Sequence, residues 1–461
     1  MKQFFGREMQ VKQLRTFLRS PSQSAALVYG RRRIGKTELI KHCFSESAAV
    51  CIYYECKETS EANNTQSLAE IISEQLGIPP VSFSRFEQLL AFLYKYPFDR
   101  ELALAIDEYQ YLRRVVTGLD SIIQSAIDNR GTSNVHLILC GSYVDTMKSL
   151  LEKQNPLYGR FDLIIDLKAM DYYDSALFYP TFSAEDKVRL YSVFGGVPYY
   201  NRLIDENKTV KENIIDLIAS PGSRFETEVP MALKSEIQKM TNAYEVFETL
   251  SKGYVRFADI LSQSQVSSSP TLVDVLDKLC KMDVVKKEAP INDENNKKKA
   301  GYYISDPFTR FYFTYIYRNS SRLNVMDSDI FFLRYIEQDF EEHYVPHLFE
   351  EVCRQFLIRK NRRAELENCF ERIGTYYYDD AKNHKNGEFD IVTENEGEYI
   401  FYEAKFKKEP LTLEKIQEEI AQVQATGFVC RTYGFFSRSG FTGIRKSDKE
   451  NLILYELKDL F

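Results

Sequence analysis

The 461-residue sequence predicts an α/β protein built of three regions. Five short apolar runs rich in β-branched residues alternate with amphipathic stretches through residues 1–205, the pattern of a parallel sheet with helices on both faces. From 206 to 318 helical periodicity replaces the strand signal, and from 325 to 461 helices give way to strands again. A chain of this length suits about three domains.

The runs Ala25–Tyr29, Val50–Tyr54, Leu102–Ile106, His136–Cys140 and Leu163–Leu167 are the expected strands of one doubly wound domain over 1–205. In the second region, 206–318, Tyr244–Lys252, Phe257–Ser262 and Ser269–Met282 read as three short helices. Pro270 stands at the start of the third, where its missing N–H costs little. Val284–Lys287 and Gly301–Ile304 then form a hairpin around the loop Asn292–Lys299, and three helices plus a hairpin make a winged-helix plan. The third region, 325–461, is expected to hold a helix over Glu351–Ile358 and a polar loop over Asp379–Gly387. Strands Phe389–Thr393 and Tyr399–Ala404 flank the turn Glu394–Glu398, followed by a helix over Thr412–Thr426 and a strand over Thr432–Phe436.

Composition narrows the function classes. With 44% hydrophobic and 28% charged residues, wholesale disorder and fibrous repeats are excluded. No apolar run approaches the roughly 18–20 residues of a membrane span, and the opening residues lack the apolar core of a signal peptide. A soluble, cytoplasmic protein with no membrane partner is expected. The eight cysteines are scattered without a CxxC pair, which points to reduced, buried thiols rather than zinc or disulfides. A formal charge of -7 argues against coating nucleic acid wholesale. Basic residues nevertheless cluster at Arg31–Arg33, Lys297–Lys299, Arg359–Arg363 and Lys405–Lys408, and a local basic groove is what sets such binding.

Gly30-Arg31-Arg32-Arg33-Ile34-Gly35-Lys36-Thr37 fits G-x-x-x-x-G-K-[ST], with an apolar strand before it and Glu38 opening a helix after it. The glycines let backbone N–H groups turn toward phosphates. Lys36 would reach the β/γ-phosphates of ATP, and Thr37 would place its hydroxyl on Mg²⁺. Asp107, at the end of the third run, can hold Mg²⁺ through water, and the adjacent Glu108 can polarise the attacking water. One extra run, Val50–Tyr54, lies between loop and carboxylates, the order of the additional-strand P-loop ATPases. Ser142 is a candidate contact to the γ-phosphate or the water. Arg160 is a candidate arginine finger, in cis, which allows a monomer, or in trans, which implies an oligomer.

Phe5-Gly6-Arg7-Glu8, the phosphate loop, Asp107-Glu108-Tyr109-Gln110, Leu139-Cys140-Gly141-Ser142, Leu157-Tyr158-Gly159-Arg160 and Gly195-Gly196-Val197-Pro198-Tyr199 occur in that order. Together they resemble the archaeal-type ATPase family, relatives of the AAA+ and STAND NTPases. The resemblance implies a P-loop NTPase domain with Arg7 near the adenine end and a lid beginning at Gly195–Pro198. It also implies a winged helix and a C-terminal nuclease-like domain.

A second constellation lies far downstream. Asp390 and Glu403 are 13 positions apart across a predicted hairpin, and in Glu403-Ala404-Lys405 the period of two puts both charged side chains on one face of a strand. Two carboxylates with a backbone carbonyl would bind one or two Mg²⁺ or Mn²⁺ ions, while Lys405 orients or deprotonates the attacking water. The arrangement resembles the PD-(D/E)xK restriction-nuclease fold. By that resemblance, Glu350 on the preceding helix completes the metal site, and Gln422 or Gln424 on the following helix lines it. His343 and His347 are spaced for a shared metal, but Pro346 interrupts the helix face and no third ligand is evident. The aromatic run Ser305–Phe313 is expected to be packing core.

The combined expectation is an ATP-binding and ATP-hydrolysing switch whose closure moves a winged helix and a metal-dependent, DNA-cleaving domain. The wing Lys297–Lys299 is expected to contact phosphates. Two rival readings keep the ATPase: a regulatory protein that binds DNA or protein without cutting, and a signalling NTPase whose winged helix takes a protein partner.

Overall fold

Every residue of the first strand, β1 (Ala25–Tyr29), is buried, as a central strand of a parallel sheet covered on both faces requires. With β2 (Val50–Glu55), β3 (Leu102–Asp107), β4 (Val135–Gly141) and β5 (Leu163–Asp166) it forms a five-stranded sheet in the order β2-β3-β4-β1-β5. All four pairings are parallel. β3 and β4 are likewise buried throughout, whereas the edge strands β2 and β5 are only partly so. The five expected runs are therefore strands, within a residue or two at each end. The computed structural model describes residues 3–96, 101–131, 133–237, 242–296, 298–380, 385–426, 430–444 and 451–461.

The chain divides into two units, one of residues 1–169 with 197–199 and one of 170–196 with 200–461. The segment 170–196, which the strand and helix pattern groups with the first region, packs inside the second unit. Arg359 pairs with Asp171 and Asp174, Arg189 pairs with Glu341, and the Tyr172 hydroxyl donates to the Leu460 carbonyl.

In the second unit, helices Ala243–Ser251, Phe257–Gln263 and Ser269–Lys281 precede an antiparallel hairpin of β6 (Val285–Glu288) and β7 (Gly301–Ile304). Ser268 caps the third helix through the Thr271 N–H, with Pro270 in its first turn. The remaining strands are β8 (Arg372–Asp380), β9 (Lys385–Asn395), β10 (Glu398–Lys405), β11 (Leu411–Thr412), β12 (Tyr433–Ser437), β13 (Phe441–Thr442) and β14 (Leu452–Glu456). Five of them form a mixed sheet, β14-β12-β10-β9-β8. β8–β9 and β9–β10 are antiparallel, and β10–β12 and β12–β14 parallel. Helix Leu413–Ala425 buries Ile416 and Val423 against one face, joining Phe401, Tyr433 and Phe435. Helix Val345–Arg362 meets the other through Phe356, which stacks edge-on with Phe436 and Tyr455.

Three expectations are corrected here. Asp379–Gly387 is not a loop, since β8 and β9 run into it as an antiparallel ribbon, with 381–384 outside the described residues. Its polarity misled because an edge hairpin need bury little, while the aromatic residues Tyr376, Tyr378 and Phe389 anchor it. The helix expected over Glu351–Ile358 spans Val345–Arg362, because Pro346 falls in its first turn, where no N–H is needed. Lys299 does not project as part of an open wing. It pairs with Asp293 and lies 3.9 Å from the Tyr377 ring centroid, while Lys297 lies outside the described residues. The loop is docked on β8, with the Ile291 N–H donating to the Thr375 carbonyl and Asn292 bonded to the Tyr377 backbone.

Leu104 is fully buried in the centre of β3. Leu104→Ala should destabilise the first unit by about 2–5 kcal/mol, read as a lower urea midpoint, and an unchanged midpoint would contradict a central β3.

Candidate functional site

Strand β1 delivers the chain into a loop whose shape depends on two glycines. A Cβ at Gly30 would lie 2.3 Å from the Leu167 carbonyl oxygen, so no larger residue fits without moving β5's exit. Gly35 takes a left-handed φ of 96° at the start of the helix Lys36–Ser45, beside Pro198. Ile34 is buried and its carbonyl accepts from Arg7 Nη2 at 3.1 Å, so Arg7 braces the loop backbone. Lys36 is buried, with Nζ donating to the carbonyls of Gly30 and Arg31 at 2.8 and 3.0 Å. An ammonium on two neutral carbonyls can exchange them for phosphate oxygens. Arg33 lies 4.4 Å from the Tyr199 ring centroid, and Glu38 stands in the helix's first turn.

The strand ends converge on Asp107. Its Oδ2 accepts from Thr37 Oγ1 at 2.8 Å and from the Tyr53 hydroxyl, and its Oδ1 accepts from the Glu108 N–H at 2.8 Å. Burial alone would raise its carboxyl, but hydrogen bonds from Cys140, Tyr53, Thr37 and the Glu108 backbone outweigh it and hold Asp107 below the ordinary value. Glu108 adopts a left-handed φ of 52° at the start of the next helix. Its Oε2 accepts from Ser142 Oγ at 2.7 Å and from Gln110 Nε2, and Gln110 also reaches Ser142. The loop Gly30–Thr37, Asp107, Glu108 and Ser142 thus meet where strands of one sheet end.

Arg160 meets a partner instead of an open loop: Nε and Nη2 engage both carboxylate oxygens of Asp128, each at 3.0 Å at best. Tyr53, bonded to Asp107, and Gln110, bonded to Glu108, join the cluster although neither is among the candidate site residues of the sequence. A tyrosine near the end of a strand adjoining the Asp107 strand was the available signal for the first.

In the second unit, Glu403 directly follows the Tyr402–Ile391 pair, the last of the β9–β10 register, and the charge of Asp390 acts on its carboxyl. Lys405 Nζ lies 2.6 Å from Glu403 Oε1 and 2.9 Å from Glu419 Oε1. Burial and then Glu350 push Asp390 up to about 6. Burial raises Glu403 to about 7 despite Lys405, and Lys405 itself is raised because Glu403 and Glu419 outweigh its burial. Arg354 Nη2 donates to the Asp390 carbonyl at 3.0 Å, and its Nη1 bonds to Glu288 on β6. Arg256 pairs with Glu388. Gln422 and Gln424 do not join this group. Both are exposed, and Gln424 reaches Tyr433, whereas Glu419, five residues before it on the helix Leu413–Ala425, meets Lys405. His343 pairs with Asp339 and His347 with Glu350. Among the described residues no three His, Cys, Asp or Glu side chains are gathered for a single metal, and no helix is long and apolar enough to cross a membrane.

Residues 4–203 match the family model described as an ATPase domain predominantly from Archaea, and the first region therefore carries an archaeal-type ATPase domain. Residues 312–420 match a model of archaeal and bacterial proteins of unknown function, a span that includes Glu350, Asp390, Glu403, Lys405 and Glu419. An uncharacterized protein of Methanocaldococcus jannaschii is 27% identical over 409 residues, 88% of each chain. The Walker-type ATPase of Pyrococcus abyssi is similar in structure, with TM-score 0.49 and 19% identity, over 67% of this chain and 96% of that one. The ORC2 protein of Aeropyrum pernix, in ADPNP–ADP complexes, gives TM-score 0.47 and 12% identity over 68% and 93%.

The raised Asp390 sets a sign for pH. Between its ordinary 3.8 and about 6 the folded chain holds a proton that the unfolded chain has lost, so this residue's contribution to stability falls as pH rises through that window. In a chelator-containing buffer, Asp390→Asn should raise the thermal midpoint at pH 7.5, with the gain vanishing near pH 4. A variant no more stable than wild type at neutral pH would contradict the raised carboxyl.

Proposed function

We propose that this chain couples an ATP-hydrolysing switch to metal-dependent cleavage of DNA phosphodiester bonds, with a winged helix between the two sites. The observation that carries the second half is the placement of Lys405 Nζ 2.6 Å from Glu403, whose carboxyl also feels the charge of Asp390 on the neighbouring strand. In this reading Gly30–Thr37 cradle the phosphates, with Lys36 on the β/γ-phosphates and Arg31, Arg32, Arg33, Ile34 and Glu38 lining the approach. Arg7 fixes the loop from beneath. Thr37 and Asp107 hold Mg²⁺, Glu108 aligns the attacking water, and Ser142 steers Glu108 through their 2.7 Å bond. Arg160 would serve as a finger only by leaving Asp128.

At the second site Asp390 and Glu403, with Glu350 nearby, offer carboxylate oxygens, the donors that a hard cation prefers. Mg²⁺ is commonly held by one or two carboxylates plus substrate phosphate and water, so three preassembled protein ligands are not needed. The bound Mg²⁺ or Mn²⁺ would supply Lewis-acid polarisation of the phosphate. Lys405 would orient the attacking water and offset charge on the phosphate, and Glu419 would hold Lys405 at the mouth of the site.

One observation favours a protein partner for the winged helix. The exposed side of Ser269–Lys281 carries Asp274 and Asp277 beside Lys278 and Lys281, and Lys278 is paired with Asp274. A charge-balanced helix gives little phosphate attraction, so weakly salt-dependent DNA binding would favour the signalling reading.

The test is cleavage of linear, circular and branched DNA by the full chain with Mg²⁺ or Mn²⁺, with and without ATP. Lys405→Ala should abolish cutting while ATP turnover continues. Lys36→Ala should abolish nucleotide binding or turnover, and Glu108→Gln should retain ATP without hydrolysing it. Normal turnover in Lys36→Ala would remove the phosphate-loop assignment, and wild-type protein that hydrolyses ATP but never cuts would favour the regulatory reading.

A further inference from the structure

Arg32 stands near the middle of the loop Gly30–Thr37, and its guanidinium rests on a pair of tyrosines. Nη2 donates to the Tyr111 hydroxyl at 3.0 Å, and the guanidinium carbon lies 5.6 Å from the Tyr143 ring centroid. The two rings meet edge-on, 6.2 Å apart. Arg114 shares the same shelf, 5.7 and 5.3 Å from the two centroids, but it also has a carboxylate partner in Glu58 at 3.2 Å. Arg32's partners there are two phenols, and burial followed by the neighbouring Tyr143 pushes the Tyr111 hydroxyl up from its ordinary value.

The shelf is part of the reaction end of the domain. Tyr111 follows Glu108 by three residues, and its N–H donates to the Glu108 carbonyl at 2.9 Å. Tyr143 directly follows Ser142, whose hydroxyl is bonded to Glu108. Arg32 therefore waits beside the residues assigned to the attacking water, while its own backbone belongs to the loop that wraps the phosphates.

We propose that Arg32 is an arginine finger supplied in cis, resting on Tyr111 and Tyr143 and drawn onto the γ-phosphate of ATP. The inference rests on the ATPase reading above. An exposed cation over an aromatic face is weakly held, whereas a guanidinium meets phosphate oxygens through two parallel charge-assisted hydrogen bonds. Two like charges on one shelf also favour the departure of the one without a carboxylate. Arg160, the alternative finger, is already engaged at both ends by Asp128. In the reaction, water oxygen bonds to the γ-phosphorus as the bond to the β–γ bridging oxygen breaks. ADP leaves with that electron pair, and the water's proton departs by way of Glu108. Arg32 offsets the charge spread over the γ-phosphoryl oxygens while this happens. ADP has no γ-phosphate, so with ADP the side chain stays on the tyrosines.

The chain has no tryptophan, so Tyr143→Trp places a single reporter on the shelf. Its emission should change with Mg²⁺ and a non-hydrolysable ATP analogue, not with ADP, and the change should vanish when Arg32→Ala is added. Arg32→Ala alone should keep ADP affinity while lowering kcat by at least about a hundredfold, and free guanidinium should restore part of the loss. Arg32→Lys, which keeps the charge without the planar fork, should fall between and guards against misfolding of the alanine variant. Turnover in Arg32→Ala close to wild type, or an emission change equal for ADP and the analogue, overturns the inference while leaving the ATPase reading intact. Wild-type protein that binds no ATP overturns both.

Discussion

A single buried negative charge organises the first unit. Asp107 collects hydrogen bonds from Thr37 after β1, Tyr53 on β2, Cys140 on β4 and the Glu108 N–H beyond its own strand. A buried carboxylate without donors would take up a proton, and here the donors win. Because those donors come from four segments, keeping the charge also fixes the relative positions of the strand ends. The loop Gly30–Thr37, Glu108 and the turn at Ser142 are located by that one requirement.

The second site has the opposite electrostatics. Around Asp390 and Glu403 desolvation outweighs the donors that would hold their charge, so both are pushed toward neutral pH. Lys405 relieves Glu403 only in part, being shared with Glu419. Carboxylates in this condition gain from any cation that reaches them. The site is also tied to the hairpin beside it. Arg354 links Glu288 on β6 to the Asp390 carbonyl, Arg256 pairs with Glu388, and the hairpin loop is bonded along β8. A displacement of the hairpin would therefore be felt directly at the strand that carries Asp390.

The strands of the first sheet were legible because a parallel sheet covered on both faces needs continuous apolar runs, and Leu102-Ala103-Leu104-Ala105-Ile106 is one. The second sheet was legible in part. Period two placed Glu403 and Lys405 on one face, but β8 and β14 went unread. β8 lies at an edge and carries three consecutive tyrosines, Tyr376–Tyr378, followed by two aspartates, with no period-two alternation, and β14 lies at the other edge and is only partly buried. Edge strands need no uniform pattern, so composition does not announce them.

The sequence by itself determined the phosphate loop, the parallel sheet that carries it and the order of the two constellations, because each is a local pattern with a fixed period or spacing. Tertiary structure decided which side chains complete them. Tyr53 at Asp107, Glu419 instead of Gln422 or Gln424 at Lys405, Asp128 on Arg160 and the tyrosine shelf under Arg32 all join residues distant in the chain. Such contacts depend on strand order and helix rotation, which set distances that no spacing along the chain encodes.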